Sequence, residues 1–146
     1  MISFEEELEK SGKLIYTNVG VSMRPLIKQD RDLLVIEKPR GRLKKYDCPL
    51  YKRPNGQYVL HRVVKVCDNG YVILGDNCLR KEYGIKEEQR IGVLTSLVRK
   101  GKEVDFNSFG YRFYSRFWYA VYPVRVICMR ARSLLGRLYR KCRRAR

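Results

Sequence analysis

The chain has 146 residues, 45% of them hydrophobic, and a formal net charge of +17. That suits one domain with a modest core, and the density of aromatic and β-branched residues up to about position 98 argues against disorder there. The charge is uneven. No Asp or Glu follows Asp105, whereas residues 106–146 carry eleven of the 32 basic side chains, so the basicity belongs to a tail.

Phe4 and Leu8, four apart among glutamates, predict a short amphipathic helix ending near Gly12. A strand is expected over 13–19, and a second over 32–38, where Pro39 and Gly41 break it. RPNG at 53–56 reads as a turn. The run QYVLHRVVKV at 57–66 reads as one long strand with His61 in its middle. DNG at 68–70 predicts a hairpin into the strand 71–75, and IGVLTSLV at 91–98 predicts a last strand. Short strands joined by turns, with almost no helix, indicate a compact antiparallel β-domain over 1–105. In the tail, residues 109–122 interleave aromatics with Arg112 and Arg116. Beyond Pro123, Ile127, Ala131, Leu134, Leu135, Leu138 and Cys142 recur at helical spacing among arginines, which predicts a basic amphipathic helix.

Five scattered cysteines form no CxxC pair and have no histidine at zinc spacing, so they read as reduced cytosolic thiols. MISFEEELEK has neither the charge nor the apolar core of a signal peptide. FWYAVYPV at 117–124 stops at Arg125, far short of the roughly 20 residues that span a bilayer. The expected location is cytoplasmic, with peripheral attachment at the inner membrane face open to the tail.

Three short segments carry chemistry. In GVSMRPLI at 20–27, Ser22 stands where the chain must leave its strand and turn, and Pro25 biases Arg24 toward extended backbone. Such a serine is a nucleophile if a base takes its proton, and otherwise a hydrogen-bonding turn residue. In VLHRVV, His61 is the only histidine of the chain. Alternation puts it on one face with Val59 and Val63, where partial burial favours the neutral imidazole. The plain alternative is a packed strand histidine. In ILGDN at 73–77, Gly75 permits an unusual turn that Asp76 and Asn77 cap or orient, and Glu82 follows in a charged segment.

Taken together and in this order, GxSMxP, a strand bearing HRVV and a strand ending in GDN resemble the signal peptidase I family over roughly residues 13–98, with residues 43–51 similar to its connecting strand. Histidine, where the bacterial form has a lysine, is the pattern of the Ser–His type of the endoplasmic reticulum and archaea. The resemblance implies a mainly β fold of the type shared with self-cleaving repressor proteases, flanked by the short N-terminal helix and the basic C-terminal helix. It implies Ser22 as nucleophile and His61 as base, with Asp76 or Glu82 holding the imidazole. It implies no metal or organic cofactor. The family commonly has a serine two positions before the nucleophile as an oxyanion donor. Here that position is Gly20, which leaves backbone donors around Gly20, Ser22 and Met23 to position substrate and oxyanion. The family's transmembrane helix before the nucleophile is also not seen.

The resemblance implies an endopeptidase acting on a peptide or precursor protein. A self-cleaving repressor relative would need an upstream domain, for which the 21 residues before Ser22 leave no room. From a different class comes a catalytically silent module acting through its tail. The tail itself has three readings. Residues 109–146 anchor at an anionic membrane surface, or pack on the β-domain, or, third, bind nucleic acid.

Overall fold

The computed structural model describes residues 3–17 and 19–144, with the side chains of Lys141, Cys142 and Arg144 left aside. Asn18, inside the predicted strand 13–19, and the Cys142 side chain, inside the predicted tail stripe, therefore lie outside the described residues. Helix α1 spans Phe4–Ser11. Ser3 and Glu6 form a reciprocal capping box at its start, and Gly12 closes it at φ 74°. Its apolar face places Leu8 in the core and Phe4 against the rings of Tyr16 and Tyr58.

Nine strands form two antiparallel sheets among the described residues. The larger holds β1 (Lys13–Thr17), β2 (Asp32–Glu37), β3 (Pro49–Lys52), β4 (Tyr58–Leu60), β8 (Arg90–Arg99) and β9 (Lys102–Val104). Its order is β1-β2-β8-β3-β4, with β9 pairing the far end of the ten-residue β8. The smaller holds β5 (Arg62–Cys67), β6 (Gly70–Leu74) and β7 (Glu82–Ile85) in that order. The fold is thus a mainly β body with a short N-terminal helix and helices at the C-terminal end.

The predicted single strand over 57–66 is two strands in different sheets. Chain direction changes sheets at His61, which belongs to neither. The sequence hid this because both sides of the run are apolar and both are buried. Val59 and Val63 enter the core between the sheets with Tyr51, Tyr71 and Ile73, while Leu60 enters the larger core under α1. The hairpin at 68–70 forms as expected, with Gly70 at φ 142° and a Cβ there 2.4 Å from the Ile85 carbonyl oxygen. Strands β7 and β9 were not expected. EYGI reads as a charged surface segment until Tyr71 and Ile73 pair with it.

The tail forms two helices, α2 (Phe109–Ala120) and α3 (Tyr122–Arg144), and they behave differently. Helix α2 packs on the body: Tyr111 and Tyr114 join the larger core, and Ser115 is buried. Tyr119 and Tyr122 cover Val64, Val72 and Leu74 on the outer face of the smaller sheet. A boundary at 105 therefore separates segments that fold against each other. Helix α3 leaves the body after its first turns, and Ile127, Leu134, Leu135 and Leu138 stay exposed.

Candidate active site

Ser22 sits in the turn that follows β1. The turn is fixed from beneath: Met23 and Ile27 are fully buried, Leu26 nearly so, and Ile27 N donates to Met23 O at 2.9 Å. The Arg24–Pro25 peptide within it is cis. Asp32, buried at the start of β2, holds the outgoing chain through Arg31 and Arg99, and Arg99 also donates to Leu26 O at 2.6 Å. A buried apolar side chain next to the candidate nucleophile makes Met23 the anchor of the turn.

Gly20 has φ 109°, a conformation that L-residues with a Cβ rarely adopt, although a Cβ there would meet nothing within 4 Å. Backbone angle rather than space calls for glycine. Its N–H donates to Gln29 Oε1 at 3.1 Å. Among the described residues, the backbone N–H groups of Ser22 and Met23 donate to no protein acceptor, whereas Arg24 N is used by Val21 O.

His61 is 5% exposed, at the junction of the two sheets. Its Nδ1 lies 3.2 Å from Glu82 Oε1 and 3.4 Å from the Tyr51 hydroxyl. Its Nε2 is 3.9 Å from Cys78 Sγ. Burial pushes the imidazole below its ordinary value, against the opposing pull of the Glu82 charge, and so favours the neutral, proton-accepting form. Burial works to raise the Glu82 carboxyl, but hydrogen bonds from Arg53 and Tyr51 outweigh it and hold the group below the usual glutamate range. Arg53 grips Glu82 with two nitrogens, Nε at 3.0 Å from Oε2 and a second bond to Oε1.

The two carboxylates offered by the sequence separate here. Glu82 faces His61, while Asp76 is 3% exposed and accepts both Nε and Nη2 of Arg62 at 2.8 Å. The Tyr114 hydroxyl donates to Asp76 Oδ2 at 2.8 Å, and the Asp76 carbonyl accepts Trp118 Nε1 at 2.8 Å and the Arg125 guanidinium. Asp76 therefore holds helix α2 to the body.

Gly75 brings the parts together. Asn77 N donates to Ser22 O at 2.7 Å, tying the GDN turn to the serine turn. A Cβ on Gly75 would lie 2.6 Å from Cys78 Sγ, 2.8 Å from Ser22 O and 2.9 Å from His61 Nε2, so these three groups crowd one small volume. Ser22, His61 and Cys78 line a single groove of about 490 Å³ that runs past Tyr16 and Thr17 of β1 and Tyr58 and Leu60 of β4. The Ser22 hydroxyl is not hydrogen-bonded to the imidazole or to another group among the described residues. In a free enzyme catalytic hydrogen bonds are often long, and they tighten only when substrate binds.

Tyr51, Arg53 and Cys78 belong to this neighbourhood and were not singled out by sequence. Only Cys78, two residues past Asp76, had a positional signal. Among the described residues no group of three His, Cys, Asp or Glu side chains is placed to hold a metal ion. Comparison of the chain with family models, with curated proteins and with solved structures finds no match in any of the three.

Proposed function

We propose that this chain is a signal-peptidase-like serine endopeptidase in which Ser22 is the nucleophile, His61 the base and Glu82 the group that orients the base. One observation carries the reading. A buried, neutral-leaning imidazole has a carboxylate on Nδ1, while its Nε2 opens toward the turn of a serine lining the same groove. In this reading Ser22 Oγ attacks the scissile carbonyl as its proton passes to His61 Nε2. The carbonyl oxygen, now negative, would take the unused N–H groups of Ser22 and Met23. Collapse of the tetrahedral centre breaks the C–N bond, with the His61 proton going to the leaving amine. Water, deprotonated by the same imidazole, then hydrolyses the acyl-enzyme and restores the serine.

A second reading has its own observation. Cys78 Sγ, 3.9 Å from Nε2, is a rival nucleophile. Burial pushes its thiol up from the ordinary range, however, so little reactive thiolate forms near neutral pH. A peptide library read by mass spectrometry separates the two. Ser22→Ala and His61→Gln are expected to lower cleavage by at least ~10³-fold, while Cys78→Ala retains it. Cleavage kept by Ser22→Ala and lost by Cys78→Ala would reverse the assignment. Cleavage by none of the proteins would favour the silent module.

A further inference from the structure

The two faces of α2 differ sharply. The face carrying Tyr111, Tyr114, Ser115 and Trp118 is spent on the body. On the opposite face Phe109, Phe113 and Phe117, spaced four apart, stack along the helix with ring centroids 6.1 and 5.6 Å apart. They are 84%, 57% and 50% exposed. Arg112 and Arg116 flank this ladder by the helical period and line, with Lys44 and Lys45, a basic groove of about 410 Å³ beside it. Helix α3 repeats the pattern with aliphatic residues: Ile127, Leu134 and Leu138 share one face, are more than half exposed, and lie between arginines.

Neither helix can cross a bilayer, because no helix of the described residues is long and apolar enough. Exposed apolar rows bordered by cations match a different geometry, that of a helix lying in the headgroup region with its apolar row in the acyl boundary and its arginines on lipid phosphates. The charge selects among occupants. A second copy would bring together two tails with no acid after Asp105 to offset eleven cations each. A nucleic acid would satisfy the arginines but leave Ile127, Leu134 and Leu138 in water.

We propose that α2 and α3 form an interfacial surface that docks the protein on an anionic membrane. This rests on the two helices alone and holds whether or not the groove is catalytic. The test is flotation of the full-length Ser22→Ala protein with vesicles of phosphatidylcholine alone and of phosphatidylcholine mixed with phosphatidylglycerol. The expected result is binding to the anionic vesicles, weakened at least about tenfold on neutral ones and by added salt. Ile127→Ser with Leu134→Ser and Leu138→Ser should lower anionic binding by about tenfold or more, as should Phe113→Ser with Phe117→Ser. All five side chains are exposed, so an unchanged circular dichroism spectrum is expected and guards against a folding artefact. Equal binding of neutral and anionic vesicles, or full binding by both sets of serine variants, would overturn the proposal. So would absence of vesicle binding, whether alone, with tight binding of a single-stranded oligonucleotide, or with a dimer that the serine variants abolish.

Discussion

Two arginine–carboxylate pairs lie on either side of the chain's passage through residues 76–82, and they differ in what surrounds them. The Arg62–Asp76 pair is almost wholly dry, with side chains 2% and 3% exposed, and Tyr114 fills a further lone pair of the carboxylate. The Arg53–Glu82 pair is wetter, at 31% and 25%, and its carboxylate turns toward an imidazole. A dry pair commits its carboxylate to structure, because removing one partner strands the other charge in low dielectric. A partly wet pair leaves its carboxylate able to stabilise a charge that comes and goes on a neighbouring base. The same residue chemistry thus holds a helix on in one place and, in the proposed reaction, tunes proton transfer in the other.

The sharpest way to break this comparison is Asp76→Ala. It strands the Arg62 guanidinium and should cost ~3–5 kcal/mol, read as a lowered denaturant midpoint. If the loss were no larger than for Glu82→Gln, the dry and wet pairs would be equivalent and the contrast would fail. Glu82→Gln should instead leave stability within about 1 kcal/mol and lower kcat/KM on the order of 10²-fold through a misplaced imidazole. Because the Glu82 charge raises the His61 pKa, the acid limb of the pH–rate profile should also move to lower pH in this variant. An unchanged limb would remove Glu82 from the base's environment.

The wild-type limb itself should lie below the ordinary histidine value of about 6.5, because burial depresses the folded-state pKa. The linkage runs the same way. As pH falls below about 6.5 the unfolded chain takes up the proton first, so this contribution to stability is present above that pH and is lost toward the lower folded value. His61→Gln should flatten that slope in denaturation at pH 7.5 against pH 5.5. The smallest expected effect is Tyr114→Phe, which removes one hydrogen bond from Asp76 but keeps both Arg62 contacts. It should cost about 1 kcal/mol of stability with no change in kcat.

Much of this was legible in the residues. The short first helix ending at Gly12, the hairpin at 68–70 and the placement of a serine turn, a lone histidine and a GDN turn all follow from local patterns. Two things did not. The sheet switch at His61 has no local mark, since apolar residues on both sides of a run look alike whether they face one core or two. The division of labour between Asp76 and Glu82 depends on which way the chain leaves β6, and Arg62, the partner that claims Asp76, reads in sequence as an ordinary strand residue beside the histidine. The aromatics of 109–122 were equally ambiguous. Tyr111, Tyr114 and Trp118 face the body, where their polar atoms meet Arg62 and Asp76, whereas Phe109, Phe113 and Phe117 face out.

The Asp76 carbonyl is held by Trp118 near the end of α2 and by Arg125, whose own carbon lies 4.2 Å from the Trp118 ring centroid, one turn into α3. Helix α3 runs 23 residues, ~35 Å at the helical rise. Its first turn is therefore tied to the GDN turn through Arg125. The GDN turn so held begins at Gly75, where the serine turn, the imidazole and Cys78 leave no room for even one added methyl group.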